Sequence, residues 1–261
     1  MSEVSIARDG AVARVTLERP QLHNAFDEAL IADLTAAFQA LGDDASVRAV
    51  VLTGAGRSFS AGADLNWMKR ASAYDEERNR EDAWALELML RTLDECPKPV
   101  VAMVNGAAIG GGLGLVAACD IAFAAEGAQF ATSEVRLGIL PAVIAPFVVR
   151  AIGPREARRW FLTAERFGAE EARRIGLVHE VVQADQLEVR TGALVAELLK
   201  GGPEAQASTK RLVQLVTMMP QGGSIRSEAT VKMIAERRAS AEGREGIGAF
   251  LEKRQPAWVE S

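Results

Sequence analysis

Residues Pro99–Cys119 read PVVAMVNGAAIGGGLGLVAAC, and this uncharged stretch decides the fold class of the chain. Val100–Val104 is a short apolar run typical of a buried strand, and the Asn-Gly pair after it indicates a turn. Gly110–Cys119 then predicts a short helix that is buried on every side. The stretch is long enough to cross a bilayer, but its asparagine and five glycines favour a strand, a turn and a helix inside a globular core.

The pattern of a strand followed by a helix extends to both sides of this stretch. Strands are predicted, from alternating or continuous apolar residues, at Val12–Leu17, Val47–Thr53, Ile121–Ala125, Gln129–Ala131 and Leu177–Val182. Helices are predicted from an Asn24 cap to a stop at Gly42, across Asp75–Glu95, and over most of the chain from Pro141 onward. This order predicts an α/β layered core over residues 1–195, followed by a helical region over residues 196–261.

Length and composition exclude several classes of protein. The chain has 261 residues, of which 49% are hydrophobic and 25% are charged, and this mixture is globular rather than disordered, collagen-like or coiled-coil. A net charge of −5 gives no general attraction to nucleic acid or to anionic membranes. Two cysteines and two histidines exclude a disulfide framework and a histidine-rich zinc site, and they fit a reducing compartment. Because the N-terminal segment lacks the pattern of a signal peptide, we expect a cytoplasmic protein.

Two glycine-bearing loops that follow buried strands are candidates for anion binding. Gly110–Gly112 leaves main-chain N–H groups uncovered at a helix start, where the partial positive charge stabilises an oxyanion or a phosphate. Tight packing of the helix is the alternative explanation for these glycines. Phe59–Leu65 is the second loop and is built from similarly small residues. The chain has neither the GxGxxG fingerprint nor a P-loop motif, which disfavours nucleotide binding.

Candidates for proton transfer and for nucleophilic attack are few. Glu134 follows an apolar strand and precedes the uncharged segment 137–149. Burial destabilises a charged carboxylate and raises its pKa, which suits a proton-transfer group near neutral pH. An ion pair with Arg136 at a helix end is the alternative role for this glutamate. Ser58 and Ser60 lack the GxSxG pattern of a nucleophile elbow, so we interpret them as turn serines.

These segments, in this order and spacing, resemble the enoyl-CoA hydratase/isomerase (crotonase) superfamily along nearly the whole chain. The motifs that carry the resemblance are Arg19-Pro20-x-x-x-Asn24-Ala25, Ser60–Leu65, Asn105–Gly112, Ala118–Ile121, Ser133–Gly138, Gly168–Ala172, Gly176–Val178, Glu245-Gly246 and Phe250–Arg254. No single motif is decisive, whereas their succession is specific. The resemblance implies an α/β fold, a crotonase-type spiral of repeated ββα units, with a C-terminal helical region that forms a homotrimer or a dimer of trimers.

The resemblance also implies a ligand and the residues that hold it. The ligand would be an acyl-CoA thioester, with no metal and no cofactor besides the coenzyme A of the substrate. Main-chain N–H groups of Ala63 and Gly111 would hold the thioester oxygen, and Glu134 would transfer protons. The further contacts to the substrate would come from Ala25, Ala61, Asp64, Leu65, Gly112, Phe250 and Lys253. The last two would be supplied by a neighbouring subunit.

The chain departs from the superfamily pattern at one position that matters for the reaction. Typical hydratases carry two glutamates, and Gly114 occupies the position of the first, which leaves Glu134 alone. A single glutamate fits an isomerase, which moves a proton between carbons two and four of the acyl chain. It also fits a hydratase in which the substrate or another side chain helps to hold the water. Gly56–Lys69 and Ser133–Ile144 resemble bacterial methylglutaconyl-CoA hydratases of leucine catabolism, which favours hydration.

Other classes of function stay open at this point. An RNA-binding protein and a catalytically silent CoA-binding homologue are the alternatives to an enoyl-CoA hydratase. The acidic net charge disfavours nucleic acid, and the seven arginines of Arg150–Arg174 are partly offset by four glutamates, which favours a solvated helix face. We therefore expect an acyl-CoA substrate, no nucleic acid and no membrane partner. Arg136 and Arg150 are candidates for binding a distal carboxylate of the substrate.

Overall fold

The computed structural model describes residues 2–218 and 224–259. The strands in these ranges are β1 (Val4–Asp9), β2 (Val12–Leu17), β3 (Ala49–Gly54), β4 (Ser58–Ser60), β5 (Val100–Val104), β6 (Ala107–Ile109), β7 (Ile121–Ala125), β8 (Gln129–Ala131), β9 (Phe167–Gly168) and β10 (Glu180–Val182). The helices are α1 (Glu28–Asp43), α2 (Leu65–Ala71), α3 (Glu76–Asp94), α4 (Gly111–Ala118), α5 (Ala145–Thr163), α6 (Ala169–Arg174), α7 (Leu187–Leu199), α8 (Pro203–Met218), α9 (Ser224–Ala239) and α10 (Ala241–Leu251).

Two sheets form the layered core. The larger sheet has the strand order β1-β2-β3-β5-β7-β10, in which the β1–β2 hairpin is antiparallel and every later pairing is parallel. Its central strands are covered on both faces, since Val50 and Leu52 of β3 pack in the main core while Ala49 and Val51 pack against α7. This two-sided burial explains why the central strands are continuous apolar runs.

The smaller sheet, with the order β4-β6-β8-β9, begins where strands of the larger sheet end. At their carboxyl ends β3, β5 and β7 turn into β4, β6 and β8. The side-chain amide of Asn105 donates to the carbonyl groups of Gly54 and Gly56, each at 2.9 Å, and so ties two of these turns together. A Cβ on Gly106 would lie 2.1 Å from the carbonyl oxygen of Arg57, so the close approach requires glycine. The strands β4 and β6 that follow the turns pair in parallel, and the loops after them therefore lie side by side.

The predicted strands agree with the structure where a strand is apolar and well buried. The bounds of β2, β5, β7 and β8 are those predicted. The apolar run Val47–Thr53 contains most of β3, whereas only the end of Leu177–Val182 forms β10. The other strands, β1, β4, β6 and β9, lack a sequence signal because β1 buries only Val4 and the rest have two or three residues.

The predicted cap of α1 is wrong. The N-cap is Asp27, whose carboxylate accepts a hydrogen bond from the main-chain N–H of Leu30 at 3.0 Å. Asn24 has a φ of +56° and is buried, and its side-chain amide donates to the carbonyl groups of Ala55, after β3, and Ser58, at the start of β4. The helix also continues through Gly42 and ends at Asp43.

The helices after α7 pack mainly on one another. While α7 packs on β3, β5 and β7, the helices α8, α9 and α10 pack on one another. A division at residue 195 would cut α7, in which Val195 is buried against the sheet. The division into a core and an oligomerisation region stays a prediction. Across residues 2–218 and 224–259, no helix combines the length and apolar character needed to cross a membrane.

Candidate active site

The loop after β4 is held by a short parallel bridge to the segment before α1. Phe26 N donates to Gly62 O at 2.6 Å, and Asp64 N donates to Phe26 O at 2.7 Å. In this alternating pattern the residue between them, Ala63, turns its own N–H away from Phe26. That N–H forms no hydrogen bond within the described residues, and Ala63 is exposed. The loop therefore presents a free main-chain donor.

A second donor lies in the first turn of α4. Gly111 is the first residue of the helix, so its N–H precedes the regular hydrogen bonds of the helix. Gly110 is the N-cap and has a φ of +52°, a conformation that favours glycine. Within residues 2–218 and 224–259 the N–H of Gly111 has no acceptor. The partial positive charge of the helix start adds to the field of this donor.

The two donor loops are in direct contact. A Cβ on Gly62 would lie 2.6 Å from Ile109 O and 3.4 Å from Gly111 N. Gly62 also has a φ of +82°, so both the space and the backbone conformation require glycine there. Because residue 62 directly precedes Ala63, the two free N–H groups belong to main-chain segments that touch. Their joint use as an oxyanion site stays a prediction.

Glu134 lies beside the same segment. It begins a 3-10 turn, Glu134–Leu137, and a Cβ on Gly110 would lie 3.1 Å from its Oε1. Its Oε2 is buried and has no hydrogen-bond partner among the described residues, Arg136 included. Burial raises the pKa of the Glu134 carboxyl, and hydrogen bonds from main-chain N–H groups of Ser133 and Glu134 oppose this effect only in part. A carboxyl group with a raised pKa and one unpartnered oxygen, next to the donor loop at Gly110, is equipped to take up and release a proton.

Neither serine near the loops is set up as a nucleophile. His23 Nδ1 lies 3.0 Å from Ser58 Oγ, and His23 Nε2 lies 3.2 Å from Arg57 Nη2. A guanidinium can only donate, so Nε2 is the acceptor and Nδ1 carries the proton, which leaves Ser58 without a base. Ser60 is buried, and its Oγ donates to the carbonyl of Asn24 at 2.8 Å. Both hydroxyl groups therefore serve the local structure.

Most of the other residues predicted to contact substrate lie in or beside the two loops. Ala25 precedes the bridge, Ala61 and Leu65 flank the first donor, and Gly112 follows the second. Leu65 is 81% exposed at the start of α2. The carboxylate of Asp64 is buried and caps α2, and its main-chain N–H is used in the bridge to Phe26, so a contact between Asp64 and a ligand stays a prediction.

The C-terminal contacts predicted for the substrate lie elsewhere in the chain. Phe250 is near the end of α10 and Lys253 follows it, and α10 packs on α8 and α9. The side chain of Phe250 is 82% exposed. A role for these two residues at the loops stays a prediction that involves a neighbouring subunit.

Apolar side chains fill the space beside Gly114, the position at which typical hydratases carry their first glutamate. The N–H of Gly114 donates to Gly110 O at 3.1 Å, so Gly114 lies one helical turn below the donor loop. A Cβ on Gly114 would lie 2.3 Å from Ile144 Cγ2, 2.9 Å from Ile144 Cβ and 3.8 Å from Leu90 Cδ1. Ile144 is buried directly before α5. Sequence reasoning missed Ile144 because no local pattern indicates which distant side chain fills this space.

The two arginine candidates occupy different places. Arg136 is exposed within the Glu134 turn. Arg150 is ion-paired with Asp94 and lines a cavity of about 500 Å³ that Lys210 also lines. Lys210 contacts Asp120 and the Lys98 carbonyl at the amino ends of β7 and β5, whereas the donor loops follow carboxyl ends. Arg150 thus lies in an ion pair beside this separate cavity, and its role as a ligand for the substrate stays a prediction.

The comparisons with known proteins agree with this geometry. The family model for enoyl-CoA hydratase/isomerase matches residues 7–261. A putative enoyl-CoA hydratase of Thermus thermophilus is 36% identical over 95% of this chain and 97% of its own length. The 2,3-dehydroadipyl-CoA hydratase of Escherichia coli is 34% identical over 98% of both chains. A solved enoyl-CoA hydratase from Shewanella pealeana superposes with a TM-score of 0.94 and 40% identity, covering 98% of this chain and 96% of that one. The predicted crotonase fold is thus confirmed, and the chain belongs to the enoyl-CoA hydratase/isomerase superfamily.

Proposed function

We propose that the protein is an enoyl-CoA hydratase that adds water across the 2,3-double bond of an acyl-CoA thioester. The observation that carries this proposal is the pair of unpartnered N–H groups, on Ala63 and Gly111, near the carboxyl group of Glu134, whose Oε2 is buried and unpartnered. Relatives named as enoyl-CoA hydratases, including those of Thermus thermophilus and Escherichia coli, support the same reaction class.

The two N–H groups stabilise the negative charge that forms on the thioester oxygen. Both bind this oxygen in the substrate and bind it more strongly once it becomes an enolate oxygen, which lowers the barrier. Each donor of this kind is worth about 3 to 4 kcal/mol. The bridge at Phe26 fixes the first donor and the start of α4 fixes the second, so neither has to reorient during the reaction.

Glu134 acts first as a base and then as an acid. Its carboxylate removes a proton from water as the water oxygen forms a bond to carbon three, and the electron pair of the double bond moves to the thioester oxygen. The protonated carboxyl group then returns a proton to carbon two while the carbonyl reforms. The sum is the addition of one water molecule. A raised pKa suits this double role, because the same group must both accept and donate a proton near neutral pH.

The substrate we propose is 3-methylglutaconyl-CoA of leucine degradation, whose acyl chain ends in a carboxylate. Because Ile144 fills the space beside Gly114, α4 has no room for a second catalytic carboxylate. A carboxylate on the substrate itself would supply the missing group by orienting the water or by pairing with Arg136. One relative is named for 2,3-dehydroadipyl-CoA, which is likewise a thioester of a dicarboxylic acid.

The proposed assembly is a homotrimer or a dimer of trimers in which a neighbouring subunit completes the coenzyme A site. Phe250 and Lys253 would come from that neighbour. The exposure of Phe250 supports this assignment, because a large apolar side chain on the surface is suited to cover a ligand or a second chain.

A Δ3,Δ2-enoyl-CoA isomerase is the second candidate. The observation that favours it is the single carboxylate, since moving a proton from carbon two to carbon four requires one base and no water. The donors at Ala63 and Gly111 would stabilise the dienolate in the same way.

An absorbance screen of the purified protein against crotonyl-CoA, 3-methylglutaconyl-CoA and a 3-enoyl-CoA separates these activities. Hydration removes the conjugation between the double bond and the thioester, so absorbance falls, whereas isomerisation of the 3-enoyl-CoA creates conjugation and absorbance rises. We expect a fall that is fastest with 3-methylglutaconyl-CoA. A rise with the 3-enoyl-CoA and no fall with the other two would replace the hydratase proposal by the isomerase. No change with any of them would leave a silent CoA-binding homologue.

A further inference from the structure

Arg19 is a buried cation whose partners lie on both segments of the short bridge that holds the loop after β4. Its side chain is 9% exposed. Nη1 donates to Ala25 O at 2.6 Å, while Nη2 lies 2.9 Å from Asp27 Oδ2 and 3.4 Å from Asp64 Oδ2. Ala25 and Asp27 flank the residue that forms the bridge, and Asp64 directly follows Ala63. One planar group therefore fixes the neighbours of both bridging residues.

We propose that Arg19 is a positioning residue that aims the N–H of Ala63 at the thioester oxygen. The inference rests on the proposed oxyanion role of that N–H. The two main-chain hydrogen bonds at Phe26 orient the peptide that carries the Ala63 N–H relative to the other segment, but they join the two segments at one residue only, so any tilt of one segment against the other would turn this N–H as well. Arg19 adds attachments on either side of this point, through Ala25 and Asp64, and these attachments restrict the tilt.

The arrangement depends on the shape of the guanidinium group and not only on its charge. Nε of Arg19 also lies 3.3 Å from Glu3 Oε1, so one cation serves three carboxylates and one carbonyl oxygen. A guanidinium presents donors in a fixed planar fork, whereas an ammonium is a point charge that cannot reach all of these oxygens at once. Arg19→Lys should therefore keep the buried positive charge while losing part of the attachment to Ala25 or Asp64.

Two variants and one matched control separate positioning from general stability. Asp64→Asn removes the charge that faces Arg19, while the amide oxygen can still cap α2. Arg19→Lys loosens the same contact from the other side. Lys210→Met is the control, because Lys210 is a partly buried cation paired with Asp120 at 2.7 Å at the far end of the sheet. Thermal unfolding of all three variants measures the loss of stability in each.

The readout is the absorption maximum of bound 4-dimethylaminocinnamoyl-CoA, taken directly after mixing. This thioester is a push–pull chromophore whose absorption moves to longer wavelength when hydrogen bonds draw electron density onto its carbonyl oxygen. We expect a red shift in the wild type that is reduced by about half in Arg19→Lys and Asp64→Asn, with dissociation constants within about threefold, and that is unchanged in Lys210→Met. In turnover, kcat should fall about 10- to 100-fold at a nearly constant KM, which is less than the 10²- to 10³-fold typical for removal of a whole donor.

The outcomes of this experiment also distinguish the inference from the proposed function. A red shift of full size in both Arg19→Lys and Asp64→Asn would overturn the role of Arg19, whatever the enzyme catalyses. If the red shift also decreases in Lys210→Met, in proportion to the stability which that variant loses, then loss of stability alone lowers the shift. Arg19 would then have only a structural role. A wild type that shifts the chromophore but hydrates no enoyl-CoA would refute the proposed function and leave the positioning role supported. A wild type without any red shift would overturn both.

Discussion

Two glycines one helical turn apart, the N-cap Gly110 of α4 and Gly114 within the helix, have opposite kinds of surroundings. Gly110 leaves space that the carboxyl group of Glu134 occupies, whereas Gly114 leaves space that Ile144 and Leu90 occupy. The first glycine therefore admits a carboxyl group, and the second admits the apolar side chains that pack against the helix. The comparison teaches that the start of α4 is polar on one side only, because a carboxyl group lies beside Gly110 whereas the surroundings of Gly114 are apolar, and the proposed proton transfer therefore depends on Glu134 alone.

The largest expected effect is a loss of activity on the polar side, in Glu134→Gln. The amide is similar in size to the carboxylate but cannot accept the proton from water, so kcat should fall about 10²- to 10⁴-fold. Steady-state hydration of the preferred enoyl-CoA measures this effect, and unchanged affinity for a saturated acyl-CoA is the control. Hydration that persists within about tenfold of the wild type would contradict the assignment of Glu134 as the proton-transfer group.

The apolar side is tested by Gly114→Glu. A side chain there would place its Cβ 2.3 Å from Ile144 Cγ2, so the free energy of unfolding should fall by about 1 to 3 kcal/mol or more. Activity on crotonyl-CoA should not rise, since the added carboxylate has no space beside the double bond. Chemical denaturation and the hydration assay measure the two effects.

The matched control for this substitution is Gly127→Glu. Gly127 is exposed, and a Cβ built on it meets no atom within 4 Å. The same change of residue there should leave stability and activity close to those of the wild type. Increased crotonyl-CoA hydration in Gly114→Glu at unchanged stability would show that the wall at Ile144 is not closed.

The contrast between the two glycines also marks the limit of sequence reasoning for this site. Gly110-Gly111-Gly112 after a buried strand is a local pattern, and the donor at Gly111 could be predicted from it. The raised pKa of Glu134 could be predicted too, because the surrounding segment is uncharged. The contact of Gly114 with Ile144 could not, since it is made between residues far apart in the chain and depends on how α4 and α5 pack.

The same limit applies to the fold. Central strands such as β5 and β7 are continuous apolar runs and were predictable residue by residue. The cap of α1 was not, because Asn24 and Asp27 are both good cap residues and only the tertiary structure shows which one has the required backbone conformation. Arg19 likewise carries no local signal of burial, since its partners come from three separate segments.

The pH dependence of hydration tests the polar side of the comparison further. Burial raises the pKa of Glu134, and in the proposed mechanism the reaction begins with this group deprotonated. Activity should therefore fall as the pH decreases through that raised pKa, with kcat/KM decreasing about tenfold per pH unit below it. The acid limb should lie above the usual range of a glutamate and should be absent from the residual activity of Glu134→Gln. An acid limb at or below the ordinary glutamate pKa would contradict the raised pKa of Glu134.

The smallest expected effect concerns stability and has a definite sign. Because the pKa of Glu134 is raised in the folded state, the protonated form folds more favourably than the ionised form. The free energy of unfolding of the wild type minus that of Glu134→Gln should thus be largest below the pKa that Glu134 has in the unfolded chain. This difference should decline as the pH rises from that value to the pKa of Glu134 in the folded protein. Above that pKa the difference should be constant. The decline should total about 1.4 kcal/mol for each unit by which the two pKa values differ.

Denaturant unfolding of the two proteins at a series of pH values measures this decline. Gly127→Glu serves as the reference for an added exposed carboxylate, which should show no comparable loss on the alkaline side, because its ionised form stays in contact with water. A difference between wild type and Glu134→Gln that does not change with pH would mean that water or a ligand-like group stabilises the ionised carboxylate in the folded protein. The carboxylate beside Gly110 would then be better solvated in the folded protein than its buried Oε2 indicates, in contrast to the apolar surroundings of Gly114.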